Sequence, residues 1–330
     1  MADQTNRREF VQAAAAAASG IVAATGAAVA AAPERPAPRP SSMGARIREL
    51  LNGPEPLICA NAFDLLTARL IQIHGFKGVF VGSSATNQEK LALPDQAIVT
   101  VGEIIEYDSI IAQNVDIPLM ADVDDLGNTP LNVYRFTKQA ERGGIACAAF
   151  DDRATRNRAT GYAVPGMFPK DQMIDRIHAA ADARTDLVLI ARCLAPTPNG
   201  SRTEMLDRAA AYAEAGADAV WIAMPTVADY VKAADIVKKP LMAVFGNGNF
   251  PATPAALKAA RISVTQTPPM VNIALGAVDR ALTELQATGK MVEAQKGAIG
   301  RDLSDRVEQV EELNAMSRKY GLPQPSARER

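Results

Sequence analysis

Histidine is almost missing from this chain: there are two, His74 and His178, in 330 residues. Both fall in segments of helical spacing, away from the ends of the apolar runs, so neither is a good ligand or general-base candidate. Cysteine is nearly as scarce. Cys59, Cys147 and Cys193 each sit inside a strand-like apolar run, and an odd count describes no disulfide framework, so they read as buried packing residues. The single tryptophan, Trp221, lies in another such run and is expected to pack. No long basic block is present and the formal net charge is −2. That argues against nucleic acid or an anionic membrane as partner and favours a small, diffusible ligand. What is abundant is alanine-rich apolar content: 48% apolar with 22% charged is a soluble balance, enough for one large α/β barrel or two modest domains.

The first forty residues read as separate from the fold. "NRREFVQ", Asn6 to Gln12, carries Arg7 and Arg8 ahead of Phe10; the run "AAAAAASGIVAATGAAVAAA" and Pro-rich "PERPAPRP" follow. Charged region, weakly apolar region and small residues at "AVA" or "AAA" form the order of a twin-arginine export signal. The plainer readings are an N-terminal anchor or an Ala-rich tail. The expectation is a signal over 1–32, a linker over 33–42 and a periplasmic mature chain with no membrane association after cleavage. Substrates of that route generally cross the membrane folded, often with a cofactor inserted.

From residue 43 the chain alternates apolar runs with amphipathic segments. "PLICANAF", "GVFVGS", "PLMADVD", "ACAAFDD", "LVLIARC", "AVWIAMP", "PLMAVFG" and "ISVTQTP" are eight strand candidates. Several of the segments between them open on Asp, Thr or Ser and close on Gly, as helix caps do. This pattern predicts a (β/α)8 TIM barrel over 43–291, with a doubly wound sheet as runner-up and a helical extension over 292–330.

Barrel active sites lie at the carboxyl ends of the strands, and polar residues gather there. They are Asn61 and Asp64 after the first strand, Ser83 and Ser84 after the second, Asp122 and Asp124 after the third, Asp151 and Asp152 after the fourth, and Arg192 on the fifth. "PLMADVDDLGN" ends in three carboxylates within four residues, which implies a solvated tip, basic partners or a cation. Asp122 and Asp124, two apart on one strand, are expected to point to the same side. Four carboxylates facing one arginine suit a divalent cation and an anionic substrate.

The sequence resembles the isocitrate lyase and phosphoenolpyruvate mutase superfamily from about Met43 to about Met291. The resemblance rests on "ICANAFDLLTARLIQIHGFKGVFVGSSATNQEKLALPD", "PLMADVDDLGNTPLNVYRFTKQAERGGIACAAFDDR", "LVLIARC" and "AYAEAGADAVWI". It implies that Asp122, Asp124 and Asp151 hold magnesium, with manganese as a substitute. It also implies that Arg192 grips a substrate carboxylate, that Asp95 belongs to the segment after the second strand, and that Ser83, Ser84, Asn61 and Asp64 lie around the substrate. In the family the helix after the last strand is commonly exchanged between subunits, so a homodimer or tetramer is implied as well.

The departures shape the functional expectation. Family lyases carry a lysine, arginine, cysteine, glycine and histidine in succession after the fourth strand. Here "RATRNRATGY" has Thr160 near the cysteine position, Gly161 retained and Tyr162 near the histidine. Threonine cannot replace a low-pKa thiol as general acid, so isocitrate or methylisocitrate cleavage by that route is not expected. The glutamate expected on the sixth strand is replaced around Ala223 and Met224; the asparagine of the seventh falls near Val244, with Asn247 and Asn249 slightly later. The expected activity is a magnesium-dependent lyase for a small 2-oxo or 2-hydroxy carboxylate, working through an enolate, with Arg192, Asp95 and Tyr162 as catalytic candidates. A phosphonopyruvate-type carbon–phosphorus enzyme, helped by Arg153, Arg156, Asn157 and Arg158, and a non-catalytic periplasmic carboxylate-binding protein remain the alternatives.

Overall fold

The computed structural model describes residues 42–96, 98–153, 166–194, 201–244 and 253–322. The expected signal, nearly all of the linker, Thr160, Gly161, Tyr162, Arg156, Asn157, Arg158, Asn247 and Asn249 lie outside these.

Eight parallel strands close into a barrel, each hydrogen-bonded to the next in sequence and the eighth to the first. They are β1 (Leu57–Ala62), β2 (Val79–Val81), β3 (Leu119–Asp122), β4 (Cys147–Asp151), β5 (Val188–Arg192), β6 (Ala219–Trp221), β7 (Leu241–Val244) and β8 (Ile262–Gln266). Each expected strand is present, trimmed by a residue or more, because parallel strands are covered on both faces and so read as apolar runs. The expected helices follow from their caps. Thr100 and Glu103 form a reciprocal capping box at the start of the helix Val101–Ala112, and Thr129 with Pro130 opens the helix Pro130–Arg142.

Alternation along the strands divides the core in two. Leu57 and Cys59, Met120, Cys147 and Ala149, Val188 and Ile190, and Val264 point into the barrel and pack together. The residues between them, such as Ala60, Val79, Leu119 and Ala148, pack outward under the helices. Ile47 and Leu51 of the opening helix α1 (Met43–Leu51) join the inner cluster, so α1 closes the barrel below. Its entry is tight: the Gly44 amide donates to Asp186 (3.0 Å), Arg48 pairs with the same carboxylate (3.1 Å), and a Cβ on Gly44 would lie 2.0 Å from the Asp186 carbonyl oxygen.

One helix does not follow from apolar periodicity: α2 (Ser83–Leu91) after β2. Four residues of α2 are buried, and Ser83, Thr86 and Asn87 among them are polar, which erases the periodic signal. The long helix α3 (Val271–Thr288) after β8 buries only Val271; Ile273, Leu275, Val278, Leu282 and Leu285 are exposed. Among the described residues no helix is long and apolar enough to cross a membrane.

Candidate active site

The inward columns of the barrel end at the carboxyl side in polar or aromatic residues. Continuing the same alternation by two residues leads from Cys59 to Asn61, from Met120 to Asp122, from Ala149 to Asp151, from Ile190 to Arg192 and from Val264 to Gln266. Asp151, Arg192 and Trp221 are register partners on three adjacent strands. The site is therefore the top layer of the barrel interior.

A cavity of about 110 Å³ opens on this layer, lined by Asn61, Ser83, Ser84, Asp95, Asp122 and Arg192, with Phe80, Trp221 and Gln266 as further walls. Arg192 Nη1 donates to Asp122 Oδ2 at 3.2 Å, and its guanidinium lies over the Trp221 ring, 3.9 Å from the centroid. Asn61 holds the floor: its Oδ1 accepts from the Gly82 amide (3.2 Å) and its Nδ2 donates to Gln266 (3.2 Å). Gly82 is the N-cap of α2 and makes no side-chain cap bond to the first turn. The positive end of that helix, at Ser83 and Ser84, thus faces the same cavity as Arg192. Behind α2, the fully buried Asp108 accepts from Thr86 Oγ1 (3.2 Å), and burial pushes its carboxyl well above the usual carboxylate range.

A second cavity of about 380 Å³ lies beside the β3 tip, lined by Asp124, Asp125, Asn128, Asn132, Asp151 and Arg153 among others. This corrects the expectation that Asp122 and Asp124 face one side. β3 ends at Asp122, and Asp124 stands in the left-handed region at φ +53°, so the strand alternation no longer applies beyond the tip. Asp122 lines the first cavity and Asp124 the second. The Asp124 amide donates to Asp122 Oδ1 (3.3 Å), and the Asp151 amide to the Asp124 carbonyl (2.7 Å).

Asp122, Asp124 and Asp151 are 5%, 6% and 1% exposed. An oxygen-only set this well buried is the donor chemistry of a hard divalent cation, so the residues fit magnesium in kind. Their present arrangement is looser than a formed cage: among the described residues no three His, Cys, Asp or Glu side chains are gathered as a metal-holding group.

Asp64 does not line either cavity. Its Oδ1 accepts from the amide and hydroxyl of Thr67 (2.7 and 2.5 Å) and caps the helix Leu65–Ile73, which is the ordinary use of an aspartate at a helix start. His74 closes that same helix and His178 lies within the helix Lys170–Ala183. The three cysteines are buried, and none lines either cavity. Burial pushes the Cys59 thiol up to about 12.

Gln266, the cavity-facing role of Trp221, the partners of Asp152, and Arg176 escaped the sequence reading. Gln266 and the cavity-facing role of Trp221 follow from alternation once β8 and β6 are fixed. Asp152, fully buried, accepts from the Leu194 amide (2.9 Å) and the Tyr212 hydroxyl (2.9 Å), while its own amide donates to the Arg192 carbonyl (3.1 Å). Arg208 completes this knot through Tyr212 (3.2 Å) and the Phe168 carbonyl (2.8 Å). Arg176, buried against Phe168 with its guanidinium 4.1 Å from that ring's centroid, donates to the Asp125 carbonyl; burial lowers its pKa, opposed by the charges of Asp125 and Asp151. These last groups meet only through the fold, and no local spacing announces them.

Residues 47–286 match the model of the phosphoenolpyruvate phosphomutase family. A 2,3-dimethylmalate lyase of Eubacterium barkeri is 30% identical over 183 residues, 55% of this chain and 63% of the relative, so the match spans less than two thirds of that protein. A probable 2-methylisocitrate lyase 2 of Corynebacterium glutamicum is 32% identical over 256 residues, 76% of this chain and 83% of the relative. The structure of an oxaloacetate acetylhydrolase in complex with its product oxalate superposes with a TM-score of 0.74 at 26% identity, covering 85% of this chain and 98% of the other. With a family model matched across the barrel and lyases among its relatives, the chain belongs to the phosphoenolpyruvate phosphomutase family.

Proposed function

We propose that this protein is a divalent-cation-dependent lyase that cleaves or decarboxylates a small 2-oxo or 2-hydroxy carboxylate. The observation that carries the reading is the convergence of Arg192, Asp122 and the N-terminus of α2 on one small cavity at the top of the barrel. A substrate carboxylate placed there receives the guanidinium from one side and the first-turn amides of Ser83 and Ser84 from another. Asp122, Asp124 and Asp151 are the residues assigned to magnesium, with manganese able to substitute. The bound cation would neutralise charge on the substrate's 2-oxo oxygen.

When the carbon–carbon bond breaks, its electron pair passes into the adjoining carbonyl as an enolate, and a proton must then reach that carbon. No cysteine lies where it could deliver it, because all three are buried and none lines either cavity. Tyr162 or solvent is the assigned donor. Asp95, on the rim of the cavity, is the candidate to close the site with bound substrate. The named substrates of the relatives, 2,3-dimethylmalate and oxaloacetate, are short dicarboxylates, which supports the substrate class.

The same reading includes export to the periplasm after removal of the twin-arginine leader. It also includes a homo-oligomer in which α3 packs on a second copy. The apolar residues Leu275, Val278, Leu282 and Leu285, spaced by three and four and exposed within one chain, support that pairing.

The test is turnover of oxaloacetate, methyl-substituted malates, isocitrate and phosphonopyruvate by purified mature protein, with magnesium and with chelator. Chelator-sensitive release of carbon dioxide or a 2-oxo product from one of the first two is expected. Rapid isocitrate turnover would refute the thiol argument, preference for phosphonopyruvate would move the assignment to carbon–phosphorus chemistry, and silence on all four would favour a carboxylate-binding protein.

A further inference from the structure

We infer that Trp221 is a positioning residue, whose indole fixes the plane of the Arg192 guanidinium for bidentate capture of a substrate carboxylate. The inference rests on the proposed role of Arg192 in holding that carboxylate.

Arginine reaches its target on a long side chain, and its hydrogen bonds normally settle how the planar head is turned. At Arg192 they settle only part of it. Nη1 is tied to Asp122, whereas Nε is buried and makes no hydrogen bond among the described residues. The remaining constraint is aromatic, since the guanidinium carbon lies 3.9 Å from the Trp221 centroid. A cation held over an indole face in a desolvated site is strongly favoured, and the contact suits a parallel guanidinium.

The indole is itself held. Trp221 is 4% exposed, and its ring meets Phe80 in a T-shaped contact with centroids 6.0 Å apart and planes at 84°. Register pairing sets Arg192 and Trp221 side by side on β5 and β6, so neither can shift without its strand. Phe80 orients Trp221, Trp221 orients Arg192, and both rings line the cavity where a carboxylate would be gripped. A pre-set fork loses less freedom on binding than a mobile one, so removing the ring should weaken binding even where the charge is kept.

Trp221 is also the only tryptophan in the chain, so its emission reports on this site alone. The probe is oxalate in the presence of magnesium, titrated into full-length mature protein by calorimetry and by tryptophan emission. For the wild type, emission should change saturably with the same midpoint as the heat. Trp221→Leu should bind oxalate about tenfold more weakly, the loss of a desolvated cation–π contact. Trp221→Phe, which restores a ring under the guanidinium, should come within ~3-fold of wild type because the smaller ring keeps part of that attraction. Circular dichroism and melting temperature verify that each variant is folded.

Equal oxalate affinity in Trp221→Leu and wild type would overturn the positioning role while leaving the carboxylate reading intact. So would unchanged wild-type emission at oxalate saturation, a result that does not depend on any variant folding. Absence of oxalate binding to the wild type would remove the carboxylate reading, and this inference with it.

Discussion

Replacing Tyr212 with phenylalanine takes a single oxygen from a fully buried network and should cost the fold about 2 kcal/mol, within the range for a hydrogen bond to a charged group. The hydroxyl donates to Asp152 Oδ2 at 2.9 Å and accepts from Arg208 Nη1 at 3.2 Å. Arg208 keeps the Phe168 carbonyl at 2.8 Å and Glu204 at 3.0 Å, so its own loss is small. Asp152 fares worse: Oδ2 would retain only the Arg208 charge at 3.9 Å. At roughly 2.1 cal/mol/K of unfolding entropy per residue, a loss of that size lowers the melting temperature of a chain this long by about 3 °C.

The pH dependence has a definite sign. Burial raises the Asp152 carboxyl above its ordinary value, while the Leu194 amide and the Tyr212 hydroxyl hold it down against that rise. A carboxyl whose folded pKa is raised contributes stability that is fully present below its unfolded pKa and is lost as pH rises through the folded one. Removing the hydroxyl raises the folded value further, so Tyr212→Phe should lose more on the way up than wild type. Melts followed by calorimetry across a pH series should show the deficit widening as pH rises above the ordinary carboxylate range. A deficit below about 1 °C throughout, well short of the value for a charged hydrogen bond, or one that widens as pH falls would refute this account of the knot.

Other perturbations probe separate parts of the molecule. Gly44→Ala places a methyl carbon 2.0 Å from the Asp186 carbonyl oxygen, so α1 must move from the barrel's lower end. A loss of roughly 1–3 kcal/mol, read as a lower melting temperature, is expected, and an unchanged melt would contradict that docking. The pair Leu275→Glu and Leu282→Glu puts charge on the exposed face of α3 and should lower the sedimentation mass of the assembly; a wild type that already sediments as a monomer would end the proposal of helix pairing. Lysine at both Arg7 and Arg8 should leave precursor in the cytoplasm by cell fractionation, whereas undisturbed export would rule out the twin-arginine reading.

How much of this was legible beforehand depends on whether the cause was local. The barrel was, because strands buried on both faces and Thr- or Asp-capped helices leave marks within a few residues. α2 was not, because it turns Ser83, Thr86 and Asn87 inward and so lacks an apolar stripe. Asp122 and Arg192 lie together at the rim, whereas Asp124 faces another cavity, because the point at which β3 ends cannot be read from its letters. Asp64 stands apart from the cavities for a related reason: a carboxylate just after a strand is also one just before a helix, and here it serves as the cap. The knot of Asp152, Tyr212 and Arg208 joins residues up to sixty positions apart and required the fold itself.

The hydrogen-bond ladder of the barrel does not stop where its strands do. The Asp151 amide reaches the Asp124 carbonyl, the Asp152 amide reaches Arg192, and the Cys193 amide reaches Trp221, so the charged groups are mounted on backbone that is still woven together. Loops that rise from such a rim can be replaced during descent without disturbing the charges beneath them. Under the proposed function, a lineage that loses its proton-delivering thiol would keep its grip on the carboxylate, and the two halves of the chemistry could be inherited separately. The same division suits an engineer, who could exchange the segment after β4 for a cysteine-bearing one and ask whether the old rim still serves it.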